Sequence, residues 1–198
     1  MLRLLACMTL PWILGNRPLA CAVIIVIVGS SIIVAFRNFV GADGADQMTV
    51  LIFVSLLLYT VTGDRVTQSL AVGFLGAQCI LSYVVAGMAK SVSPVWRNGL
   101  ALKGIFRTET YGVALVGNTL SSLPGNMNRL LCWAVIVWES TFFAVLFLPL
   151  PVCLAMLALA AAFHIFNAFT MGLNTFVWSF VAGYPAILVM NHWLELRV

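Results

Sequence analysis

From Val152 to Met190 the chain runs without a single Asp, Glu, Lys or Arg. As one straight helix that stretch would reach roughly 58 Å at about 1.5 Å per residue. The hydrocarbon core of a bilayer is only about 30 Å thick, so such a helix has to tilt, kink or turn. Breaks can fall at Gly172–Asn174 or at Gly183-Tyr184-Pro185. The favoured reading is one long tilted helix to about Val181 followed by an interfacial tail; two shorter spans are the alternative.

The remainder has the same character. Of 198 residues 63% are hydrophobic and 8% charged, where a soluble domain carries about 25% charged residues. The outer surface must therefore face lipid. The expected fold class is all-α, a polytopic integral membrane helical bundle forming one transmembrane domain over residues 1–198. A spanning helix needs about 20 predominantly apolar residues. Leu19–Phe36 meets that need and ends at Arg37-Asn38. Met48–Thr62, Gln68–Ala89 and Leu131–Leu150 follow, the last stopped by Pro149 and Pro151. With the final segment this gives five transmembrane helices, or six if that segment folds back. Asp46, in the Gly/Asp-rich linker that starts at Gly41, can cap the second span. Tyr111–Leu123 is too short to cross and reads as interfacial or re-entrant. Residues 1–15, interrupted by Pro11 and Trp12, read as an N-terminal interfacial segment that is not cleaved.

Charge bounds topology and partners. Ten Lys/Arg stand against six Asp/Glu, with no basic run of the kind that grips phosphates, so no nucleic-acid partner is expected. With five spans, one side carries Arg3, Arg17 and Arg65. The other carries Arg37, Lys90, Arg97, Lys103, Arg107, Arg129 and Arg197, and the positive-inside rule makes it cytoplasmic. Trp12, Trp96, Trp133 and Trp193 fit interfacial belt positions, and His192 reads as interfacial too. Five cysteines are spread singly (Cys7, Cys21, Cys79, Cys132, Cys153), so neither a metal site nor a disulfide framework is expected.

Ionisable side chains inside apolar runs are costly and normally face the protein interior. Glu139 sits mid-way along Leu131–Leu150, His164 lies within the uncharged stretch, and Lys90 ends the third span. Each has a plain structural reading: a snorkelling lysine, a protonated glutamate bonding helices together, a packing histidine. Spacing nonetheless groups them. His164 and Asn167 share one helix face, with Met171 a turn on. Tyr83, Gly87 and Lys90 share a face of the third span, flanked by Gln78 and Ser82. Gly87 would admit the close approach of another helix or of a flat ligand. The expectation is an intramembrane polar pocket formed by Tyr83, Gly87, Glu139, His164 and Asn167. Loops of the phosphate-binding, dinucleotide, serine-hydrolase or zinc-protease kinds are missing.

Two segments carry a resemblance. Leu81-Ser-Tyr83-Val-Val-Ala-Gly87-Met-Ala-Lys90 leads to Trp96-Arg-Asn-Gly99, and Phe163-His164-Ile-Phe-Asn167 follows some seventy residues later. Together, over roughly residues 40–190, they resemble the membrane domain of the vitamin K-dependent γ-carboxylase-like proteins, the horizontally transferred transmembrane (HTTM) family. The family pattern reads Tyr-x-x-Ala-Gly-x-x-Lys, then Trp-x-x-Gly, then Phe-His-x-x-Asn. The resemblance implies that Lys90 is a catalytic base. An amine in an apolar pocket suits that role. His164 and Asn167 would be structural or pocket-lining, and the cofactor would be a quinone-like lipophilic molecule. This sequence lacks the carboxylases' large soluble region, has no histidine before Lys90, and carries Ala89 in place of a second lysine. The fold is expected to carry over and peptide carboxylation is not.

Two function classes remain: a membrane protein whose pocket binds a quinone-like or other lipophilic small molecule, and a non-catalytic accessory subunit of a larger membrane complex. A transporter fits less well, since no inverted repeat or pair of broken helices is visible.

Overall fold

The structure, a computed structural model, describes residues 2–37, 43–109 and 112–195, and their side chains from residue 5 onward. Among these residues there are ten α-helices and no strand. They are α1 (Leu2–Ile13), α2 (Arg17–Arg37), α3 (Gly44–Thr62), α4 (Arg65–Val92), α5 (Pro94–Arg97), α6 (Ala101–Ile105), α7 (Ala114–Ser122), α8 (Gly125–Ser140), α9 (Leu150–Met171) and α10 (Asn174–Glu195). A 3-10 segment, Phe142–Phe147, joins α8 to α9. Four helices, α2, α3, α4 and α9, are long and apolar enough to cross a membrane, which is compatible with a multi-pass membrane protein.

Local chemistry explains the boundaries. α3 is capped by Asp43, not by Asp46: the Asp43 carboxylate accepts the Asp46 N–H at 2.8 Å. Asp64 does the same for α4, accepting the Thr67 N–H at 2.9 Å. Between α3 and α4 the chain turns on Gly63, whose φ of 62° lies in the left-handed region, where a residue without Cβ is unstrained. Asn38, Gly41, Ala42, Tyr111 and Arg197, which the sequence reading used at loops and ends, lie outside the described residues, as does the Arg3 side chain.

The uncharged stretch folds differently from the favoured reading. It does not continue to Val181 but ends at Met171, where Gly172 (φ 72°) donates its N–H to the Ala168 carbonyl. α10 then returns alongside α9. Pro185 does not break it: α10 runs through that residue to Glu195. Leu131–Leu150 is not one α-helix either. Pro149 and Pro151 have no N–H and clash with carbonyls one turn earlier, so the ladder gives way to the 3-10 segment. That leaves carbonyls in need of donors, and the fully buried Asn191 of α10 supplies them. Its Nδ2 donates to Val145 at 3.1 Å, Leu146 at 3.2 Å and Leu148 at 2.8 Å.

α10 is the central element, packed on α3, α4, α9 and the 3-10 segment. Small residues allow this. A Cβ on Gly183 would run into Cys79 Sγ, and one on Gly76 would lie 3.0 Å from the Ala186 carbonyl oxygen. The main core gathers Met48, Ile80, Tyr83, Phe142, Leu157, Phe180 and Ile187. A separate cluster of Leu10, Ala20, Ile24 and Ile27 ties α1 and α2 together and packs against Phe53, Leu56 and Leu57 of α3. Helices α5–α7 form a cap over one end of the bundle.

Candidate functional site

Beneath that cap lies a cavity of about 660 Å³, within the size range of small-molecule pockets. Its walls come from α3 (Gln47, Met48, Leu51), α4 (Gln78, Ser82, Tyr83, Lys90), α8 (Glu139), α9 (His164, Asn167) and α10 (Phe176, Phe180). Its roof is the cap: Trp96, Leu102, Ile105, Phe106, Val116 and Leu120. Tyr83, Lys90, Glu139, His164 and Asn167 thus line one chamber. Gly87 does not line it. A Cβ there would clash with the Ser140 backbone N–H, so this position serves helix approach, α4 against α8, and not ligand approach.

Two polar groupings are set into the wall. In the first, Lys90 Nζ meets Glu139 Oε2 at 2.5 Å and Ala86 O at 3.5 Å. Glu139 is buried while the lysine keeps 22% of its side-chain surface. Trp96 places its ring under the ammonium, 5.3 Å from Nζ to the centroid. Trp96 is therefore part of the site. Ammonium–carboxylate and amine–acid forms of the pair differ by one proton moved across a single hydrogen bond, which makes it a proton donor–acceptor couple facing an apolar chamber.

The second grouping is a chain of three rings. Tyr83 Oη lies 2.8 Å from Tyr184 Oη and 2.7 Å from His164 Nε2. If Tyr184 donates to Tyr83 and Tyr83 donates to Nε2, both hydroxyl protons are used. The reverse order strands the Tyr184 proton. The reverse order places the His164 proton on Nε2, the first on Nδ1. That nitrogen is buried and has no partner in the protein. His164 itself is clamped by stacking on Phe180, with centroids 4.5 Å apart at 27°. Tyr83 stacks on Phe142 at 4.0 Å. The site thus offers an ion pair able to exchange a proton and a predominantly apolar lining.

Sequence reasoning named Trp96 without placing it in the pocket and gave Tyr184 and Phe106 no role in the site. Tyr184 had a signal: a tyrosine in an uncharged stretch needs a hydroxyl partner once buried. Phe106 had none, because its role depends on how the cap folds back. No known protein family, curated protein or solved structure matches the chain.

Proposed function

We propose that this is a multi-pass membrane protein whose central cavity binds a lipophilic small molecule bearing a hydrogen-bond acceptor, a quinone-like ring carbonyl being the simplest. The observation that carries the reading is an otherwise apolar chamber of about 660 Å³ with Lys90, part-exposed and paired with the buried Glu139, set in its wall as a hydrogen-bond donor. The Lys90–Glu139 pair would then give or take a proton at the same ligand.

Six crossings suit this reading. α10 has 22 residues, about 33 Å at 1.5 Å per residue, and lies antiparallel to α9 across a two-residue turn. α8 with its 3-10 extension supplies the other. Arg197 then joins Arg3, Arg17 and Arg65, and the excess of Arg and Lys stays with the cap, which keeps the cap cytoplasmic. Relationship to the HTTM family rests on the motifs around Lys90 and His164. In that frame Lys90 holds the position of the base.

The test is solvent extraction of the protein purified from its own membranes, compared with Lys90→Ala, His164→Phe and the cavity-filling Ala86→Phe. The expected result is a small lipophilic molecule retained by the native chain, lost from Ala86→Phe and reduced in the other two. Undiminished retention by Lys90→Ala would remove that residue from the site. No molecule from any preparation would count against the pocket. Recovery of stoichiometric partner subunits instead would favour the accessory-subunit role.

A further inference from the structure

α8 and α9 both line the cavity, yet they share little or no packing surface with one another. Both meet the 3-10 segment that joins them, and from that apex they diverge. α8 turns Leu131, Val135 and Glu139 into the chamber, and α9 turns Phe163, Phe166 and Asn167. At the cap end Phe106, 6% exposed, meets Phe166 of α9, 50% exposed, edge to face with ring centroids 6.5 Å apart. Phe106 is seated from above by α7, where a Cβ on Gly117 would lie 2.7 Å from the Phe106 carbonyl oxygen.

We infer that the gap between α8 and α9 is the mouth of the cavity, that it opens sideways into the hydrocarbon, and that Phe166, swinging against Phe106, gates it. The ligand is then a molecule dissolved in the bilayer, taken up without crossing water. This rests on the pocket reading above and goes beyond it by naming the source and route of the ligand. A lateral mouth suits a lipophilic molecule, because the route from bilayer to apolar chamber exposes no apolar surface to water. The gate is an aromatic ring with one face in the chamber and one in lipid, able to move by side-chain rotation alone.

Access to the chamber can be timed without knowing the ligand. Ser82 lines the cavity, so Ser82→Cys, in a chain with Cys7 and Cys21 changed to Ser, reports arrival of a thiol reagent. The protein is placed in phosphatidylcholine vesicles and exposed to bilayer-soluble N-(1-pyrenyl)maleimide or to a water-soluble sulfonate methanethiosulfonate. The expected result is labelling by the maleimide that is about tenfold faster with Phe166→Ala and about tenfold slower with Phe166→Trp, rate changes reflecting the barrier at the mouth. Gly117→Ala, which displaces Phe106 without touching Phe166, should also accelerate it. Phe169→Ala, 85% exposed and outside the cavity, should not alter it. Equal rates across the Phe166 series would overturn the gate while leaving the pocket standing. Labelling by the water-soluble reagent as fast as by the maleimide would overturn the lateral route. No labelling at Ser82→Cys in vesicles or in detergent, with helical circular dichroism intact, would overturn the pocket reading and this inference with it.

Discussion

Lys90 and Glu139 were each readable two ways in the sequence, as a snorkelling lysine and a protonated acid bonding helices together or as members of a site. Their contact at 2.5 Å shows that the two are partners. What no spacing rule could supply was the link between helices forty-nine positions apart, since periodicity relates residues of one helix only. Removing one partner leaves a buried charge or a buried acid without its mate. Lys90→Met alone, or Glu139→Gln alone, should cost roughly 3 kcal/mol of stability, the order found for broken buried pairs. The double variant Lys90→Met/Glu139→Leu should recover most of it, since two apolar side chains restore packing. Thermal unfolding in one detergent checks the cycle, and strict additivity of the single losses would argue that the pair does not exist. Asp64 acts outside the apolar core. Hydrogen bonds from the Thr67 N–H and hydroxyl hold its carboxyl below the ordinary 3.8. A folded-state value below the unfolded one gives stability that is present above pH 3.8 and is lost as pH falls through the lower value. Asp64→Asn should therefore lower stability in the neutral range, leave the acid end little changed and so flatten the acid limb, as scanning calorimetry between pH 3 and 7 would show.

At the level of elements, the apolar runs located the long helices well, because about 20 apolar residues are a strong and local signal. The breaks were harder. Gly172 and Pro185 both look like helix stops in the sequence, yet only Gly172 is one. Pro185, at the middle of α10, forfeits a backbone hydrogen bond, and packing of α10 on α3, α4 and α9 outweighs that loss. Gly172, by contrast, takes a left-handed φ of 72° with open space around its absent Cβ. Gly172→Ala should therefore cost about 1 kcal/mol through backbone strain alone. Gly87→Ala meets the opposite situation, ordinary helical backbone but no room beside Ser140. It should cost about 1–3 kcal/mol by overpacking and also pull Glu139 from Lys90, so retained ligand should fall with it. If the two alanine variants lose equal stability and neither affects the ligand, Gly87 is not what holds α8 against the site. Tyr111–Leu123, read as interfacial or re-entrant, contains α7, whose part in roofing the cavity only the folded chain reveals.

For the whole molecule, the composition alone indicated lipid as the solvent, because too few polar residues exist to cover a globule. Composition is silent on how the bundle closes, since every apolar helix face is equally content against lipid or protein. The cavity arises from that closure. α10 runs through the centre, α8 and α9 diverge from their 3-10 junction, and the cap folds over the space between them. Six crossings require reporters fused before α1 and after α10 to lie on the same side of the membrane; five would place them on opposite sides. The account turns, finally, on whether the chamber holds a molecule. Native mass spectrometry after gentle extraction from the original membranes asks this directly. The account predicts a protomer carrying one small lipophilic molecule, with the bound mass missing from Ala86→Phe. A protomer that is always bare, or found only in fixed stoichiometry with other subunits and no small molecule, would contradict it.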